Sequence, residues 1–183
     1  MDHLSLGVSQ RGRLVIVCGL PGSGKTTLAR RLGSNGSAVR MCPDEWMETL
    51  GMNLWDEEAR ARFEAFQWQI SRELLAQGVT VVIEWGTWAK VERDALRSEG
   101  REIGAAVELW YLDVEIDELW SRVSTRQMEN PPVTCRQLEE WFAQFEAPDD
   151  AELALFDPPW DSPIAGQRGT LESVINPGIT PGT

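Results

Sequence analysis

Gly19, Leu20, Pro21, Gly22, Ser23, Gly24, Lys25 and Thr26 run consecutively and satisfy the spacing G-x-x-x-x-G-K-[ST] in full. Glycines at those positions let successive backbone N–H groups converge on an anion without Cβ clashes. A helix beginning at Lys25 would turn its positive end toward the same anion. Lys25 has the reach for the outer phosphates of a nucleoside triphosphate, and the Thr26 hydroxyl is a hard ligand suited to Mg²⁺. Together with Thr27 behind it, the segment is expected to hold ATP with Mg²⁺. The pattern alone does not separate a kinase from an ATPase or a GTPase.

Two carboxylates have spacings that fit a reaction beside such a loop. Asp44 follows a short apolar run, 38–41, and precedes a helical stretch. A carboxylate there can accept the proton of an attacking hydroxyl; its alternative role is to cap the helix that follows. Glu84 ends the apolar run 79–83, where it can help to hold Mg²⁺ through water, or can instead be a loop carboxylate facing solvent. Trp85, Gly86, Thr87 and Trp88 follow it, and the two indoles can sandwich a planar or sugar-like substrate or serve as packing. Trp46, two residues after Asp44, and Thr87 are further substrate candidates.

Arg122 and Arg126 are spaced i, i+4 and so share one helix face. Near the Asn130-Pro131-Pro132 break, they can close over a triphosphate and stabilise transferring charge. The alternative is surface pairing with Glu118 or Glu129. Arg93 reads equally as an anion contact or as part of a solvated face.

These groups have to be positioned by elements, and the chain supplies them in an alternating order. Apolar β-rich runs (14–18, 38–41, 79–83, 106–112) alternate with helical stretches (25–32, 56–76, 90–98, 115–126), the pattern of a parallel α/β sheet. The stretch 56–76 carries Phe63, Phe66, Trp68, Ile70, Leu74 and Leu75 as a broad apolar stripe. Thr134 and Gln137 have capping-box spacing. Residues 170–175 can form a last strand. The domain is expected over 13–176, with a lid region near 122–134, a flexible N-terminus over 1–12 and a disordered tail over 177–183.

The 183 residues suffice for one domain with its own core. They fall short of the sensor and lid domains of a motor ATPase, and no N-K-x-D-like guanine-reading motif occurs. The excess of 29 acidic over 17 basic residues gives a net charge of −12. Such a field repels a polyanion and favours a small-molecule acceptor over nucleic acid. His3, the single histidine, lies in the N-terminal stretch, and the three cysteines have no metal spacing. No membrane-spanning run and no signal-like stretch is evident, so a cytoplasmic protein is expected.

Taken together, the loop, Cys42-Pro43-Asp44-Glu45-Trp46, Glu84-Trp85-Gly86-Thr87-Trp88, Arg93, Tyr111-Leu112-Asp113 and Arg122 with Arg126 resemble a known group. It is that of small phosphate-loop kinases of the AAA-type ATP-binding class, which includes polynucleotide kinases, chloramphenicol phosphotransferase and zeta toxins. The resemblance implies a P-loop NTPase fold, a three-layer αβα sandwich on a five-stranded parallel sheet of order 2-3-1-4-5. It also implies Asp44 as the base and Arg122 and Arg126 as lid arginines. Many relatives carry Asp where this chain has Glu84. The expected activity is ATP-dependent transfer of a phosphoryl group to a small-molecule hydroxyl. A polynucleotide 5′-hydroxyl kinase and a non-catalytic nucleotide-binding module are the alternatives.

Overall fold

The computed structural model describes residues 11–34, 36, 38–126 and 131–159. Strand β1 (Arg13–Cys18) is apolar and buried from Leu14 onward, as a strand covered on both faces must be. It pairs in parallel with β3 (Thr80–Ile83) on one side and β4 (Ala106–Tyr111) on the other; β2 (Val39–Met41) pairs in parallel with β3. The order is β2-β3-β1-β4, with Ile16 in register with Ile83 and Leu109.

The two-residue period of β1 divides the core into two layers. Leu14 and Ile16 pack with Val81, Ile83, Val107, Leu75 and Leu96. Val15 and Val17 pack with Val82, Leu28, Ala29 and Leu32. Helix α1 (Lys25–Gly33) therefore covers one face, and α3 (Glu57–Ala76) and α4 (Lys90–Glu102) cover the other. This is the expected αβα sandwich. Each such side chain, fully buried, stabilises the fold by roughly 1.5–3 kcal/mol. Helix α4 lies so close to the sheet that a Cβ on Gly100 would meet Val107 Cγ2 at 2.9 Å.

A third cluster, Leu20, Leu119 and Leu138, joins the glycine loop to α5 (Ile116–Arg126) and α6 (Cys135–Gln144). Thr134 and Gln137 form the capping box expected of them. Short helices α2 (Pro43–Thr49) and α7 (Asp150–Leu153) complete the described elements. Among the described residues, no helix is long and apolar enough to cross a membrane.

Two expectations are modified and the domain bounds lie partly outside the described residues. The sheet has four strands among the described residues, and the candidate fifth strand, 170–175, lies outside them. Helix α3 buries Ala59, Gln67, Ser71 and Leu75, whereas Phe66 is 54% exposed, so its inner face is narrower and more polar than the apolar stripe. Of the expected lid, only Arg122 to Arg126 and Pro131 to Thr134 are described; of the expected N-terminal stretch, only Arg11 and Gly12; the tail 177–183 lies outside.

Candidate active site

Because all four strands are parallel, their C-terminal ends open on one edge, where α/β folds gather ligand groups. The loop after β1, the turn after β2 carrying Asp44, and the turn after β3 carrying Glu84 meet there.

The loop is shaped by glycines. Gly22 and Gly24 have φ of +87° and +100°, in the region open mainly to glycine. Space is equally restrictive: a Cβ on Gly22 would lie 2.8 Å from Val123 Cγ2 of α5. One on Gly19 would lie 2.7 Å from Ser23 Oγ. Helix α1 then starts at Lys25 with no side-chain cap and no acidic residue in its first turn, leaving its first N–H groups to the loop side. Ser23 Oγ is buried without a hydrogen-bond partner among the described residues. Glycine cradle, uncapped helix and orphaned hydroxyl all fit an anion such as a triphosphate. Leu20 and Pro21 carry the loop toward α5, Thr26 is half-buried in the first helical turn, and Thr27 is exposed.

Lys25 Nζ donates to the carbonyls of Gly19 (2.8 Å) and Leu20 (3.0 Å), folding back across the loop. Burial lowers its pKa to about 8; the charges of Glu84 and Asp44 oppose that shift, and Arg126 adds to it. Asp44, Glu84 and Arg126, spread over more than 80 positions of sequence, thus act on one ammonium group.

Glu84 is not a solvent-facing loop carboxylate. Its side chain is 1% exposed and pairs with Arg40 of β2. Arg40 also pairs with Glu45 of α2, and Glu45 bonds Arg30 of α1 at 2.6 Å. This chain of charges ties the turns after β2 and β3 to the helix behind the loop. Cys42 lies beside it, its thiol pushed up to about 12 by burial and by Glu84, so it stays protonated. Burial also pushes Cys18 up to about 12, consistent with both as structural cysteines. Among the described residues, no cluster of three His, Cys, Asp or Glu side chains forms a metal cage. Thr26 stands half-buried at the start of α1, and Glu84, the other expected metal residue, is engaged through Oε1 by Arg40.

Asp44 does not cap α2. The cap position is Cys42, Pro43 starts the helix and Asp44 stands within its first turn. Its exposed carboxylate pairs through Oδ1 with Arg60 of α3. Arg122 Nη1 donates to the Gly22 carbonyl of the loop at 3.2 Å, and its Nη2 pairs with Glu118, the pairing given as its alternative reading. Arg126 is exposed at the end of α5, and Glu129 lies outside the described residues.

The substrate candidates separate. Trp85 belongs to the core: it is buried, donates to Gln67 Oε1 at 2.9 Å, and packs edge-on against Trp68. The expected sandwich of Trp85 and Trp88 is therefore absent. Trp46 packs against Phe63 and Phe66 of α3. Thr87 is buried, and Trp88 is half-buried against Trp141. Arg93 is neither an anion contact nor part of a solvated face. It is wholly buried, its Nε bonds Glu152 at 2.6 Å, and its Nη atoms bond the carbonyls of Thr87, Trp88 and Glu146. An arginine satisfied in this way holds the turn after β3 in place.

Arg40, Arg60, Trp55 and Trp141 were not singled out from sequence as parts of the site. The repeat Asp56, Arg60, Glu64 at i, i+4 was the available signal for Arg60. Arg40 and the indoles acquire meaning only through partners remote in sequence.

Residues 14–148, more than half of the chain, match the family described as AAA domain. The chain belongs to this AAA-domain family, AAA_33. A probable adenylyl-sulfate kinase of Aeropyrum pernix is 30% identical over 120 residues, covering 62% of this chain and 65% of the relative. This AAA-domain chain thus spans just under two thirds of that relative's length. The Pnkp1/Rnl/Hen1 RNA repair complex contains a chain that superposes with a TM-score of 0.66 at 20% identity, over 83% of this chain and 48% of that one. A putative kinase from Chloroflexus aurantiacus superposes with a TM-score of 0.63 at 18% identity, over 76% of this chain and 83% of that one. The fold is that of the small phosphate-loop kinase group, as the sequence resemblance implied.

Proposed function

We propose that this chain is an ATP-dependent kinase that transfers the γ-phosphoryl group of Mg-ATP to a hydroxyl of a small-molecule acceptor. The observation that carries the reading is the common sheet edge of the phosphate loop, Asp44 and Glu84, which follow the C-terminal ends of the parallel strands β1, β2 and β3. A nucleotide store would need the loop alone; a carboxylate in the open beside it gives an acceptor hydroxyl somewhere to leave its proton.

In this reading the loop N–H groups and the start of α1 bind and orient the triphosphate. Lys25 leaves its two carbonyl partners to neutralise the migrating group, and Arg122 and Arg126 add charge from α5. Bound Mg²⁺, held by Thr26 and through water by Glu84, would supply neutralisation of phosphate charge. Arg60 occupies Asp44 Oδ1, so the acceptor proton is taken at Oδ2. Residues 84–88 stand on the acceptor side, held by Arg93.

The test is ATP turnover against nucleosides, sugars and hydroxylated antibiotics, with oligonucleotide 5′ ends as the competing acceptor. An acceptor-stimulated rate that falls by about 10²-fold or more in Asp44→Asn, with ADP affinity retained, supports the reading. Stimulated turnover left intact by Asp44→Asn rejects the base. Binding of ATP with no acceptor stimulation reduces the chain to a nucleotide-binding module. The net charge of −12 weighs against the oligonucleotide arm.

A further inference from the structure

Three indoles from segments far apart in sequence meet in one cluster, connected to Asp44 through Arg60. The Trp141 ring of α6 lies 6.1 Å from Trp55, in the α2–α3 connection, and 5.9 Å from Trp88, in the turn after β3. The link to Asp44 runs through one side chain: Arg60 pairs with Asp44 and donates to the carbonyl of Leu54, the neighbour of Trp55, at 2.9 Å. All three indoles are half-buried, unlike Trp85.

Two polar groups in these segments are buried with no hydrogen-bond partner among the described residues: Thr87 Oγ1, on a residue only 4% exposed, and Trp55 Nε1. Native folds rarely leave such groups unpaired, and a site made to bind a hydroxyl is one place where they do. The surrounding charge is mostly acidic. Glu92 accepts from Ala89 N and Glu146 from Lys90 N, on the two residues that follow Trp88, while Asp44 already engages Arg60. A negatively charged acceptor would be repelled there.

We propose that Trp55, Trp88 and Trp141 form the wall of the acceptor subsite, and that the acceptor is a hydroxylated ring carrying no negative charge. Sugars and nucleosides share that chemistry: a ring face to lie on indole, and hydroxyls to be met by Thr87 Oγ1 and Trp55 Nε1. Both atoms are shielded from solvent, so the ring reaches them by parting the indoles, a side-chain adjustment common on binding. The subsite deepens the kinase reading and rests on Asp44 as the base.

The experiment is direct binding to the full chain with ADP present, by calorimetry and saturation-transfer NMR. Methyl glucoside and glucosamine form the sugar arm, adenosine and cytidine the nucleoside arm, and gluconate and AMP their anionic counterparts. Thr87→Val keeps shape while removing the hydroxyl, Trp55→Phe removes the indole N–H together with part of the ring wall, and a thermal melt reports their folding. The expected result is millimolar or tighter binding in one uncharged or cationic arm, weakened about tenfold or more by each variant. ADP affinity should move by less than about twofold. Binding of no probe in either arm, preference for the anions, or indifference to both variants would overturn the subsite. Failure of the kinase reading looks different: the wild-type chain then shows no acceptor-stimulated ATP turnover, while Trp55→Phe and Thr87→Val still weaken binding of the ring.

Discussion

On its loop side the cleft is made of backbone. Gly22 and Gly24 at positive φ, the uncapped start of α1 and the carbonyls that hold Lys25 all come from one short stretch. On its Asp44 side it is made of side chains that α2, α3, the turn after β3 and α6 bring from distant positions: Asp44 on Arg60, Glu84 on Arg40, Trp88 on Trp141. The first construction reads any triphosphate in the same way. The second can be altered one residue at a time without disturbing the first, which suits a fold that keeps its donor and changes its acceptor.

That contrast can be broken most sharply at the tie that holds the turn after β3. Arg93→Met removes the cation from a buried pair and strands Glu152 together with three carbonyls. It should lower stability by about 3–5 kcal/mol in denaturant titration, since one charge of a buried pair is left uncompensated. A loss below about 1 kcal/mol would mean that the turn after β3 is held by other contacts.

Gly22→Val tests the backbone construction. The added side chain meets both a φ of +87° and Val123, and should weaken ADP binding by about 10²-fold in calorimetry. Wild-type affinity would show that the loop tolerates a Cβ and that its shape is not what binds.

A smaller effect comes from pH. Lys25 titrates at about 8 in the folded chain, so its charge is present below that pH and lost above it. A bound polyphosphate holds the proton on, so ADP affinity should fall roughly tenfold between pH 7 and 9. The slope should flatten in Lys25→Met. An equally steep profile in that variant would place the titrating group elsewhere.

The smallest expected change is a control for both sides. Asp56 caps α3 by accepting from Ala59 N at 2.9 Å. Asp56→Ala should cost about 1 kcal/mol of stability and leave ADP affinity as it was. A change in ADP affinity would show that α3 and the loop are coupled.

The legibility of the chain follows the same division. The glycine loop, the alternation of strands and helices and the capping box at Thr134 could be read directly, because each depends on residues within a few positions of one another. Trp85 is open in sequence between substrate contact and packing, and lies in the core on Gln67; Arg93 reads as an anion contact or a solvated face, and lies within a cage of carbonyls and Glu152. Their neighbours in sequence do not predict those partners. Glu84 shows both halves of the lesson. Its place at the end of an apolar strand was visible, while its burial against Arg40 depended on β2 lying next to β3.

By itself, then, the order of residues determined the phosphate cradle, the parallel αβα architecture and the acidic character that disfavours polyanions, since local backbone geometry, periodicity and net charge are properties of nearby or summed residues. Only the tertiary structure decided which carboxylates are paired with Arg40 and Arg60, which arginines are internal ties, and which of the nine tryptophans gather around Trp141. Those are pairings across long loops. They are set by how helices and strands pack, and a hydrogen bond or a ring contact carries no mark in the sequence of the partner it will find.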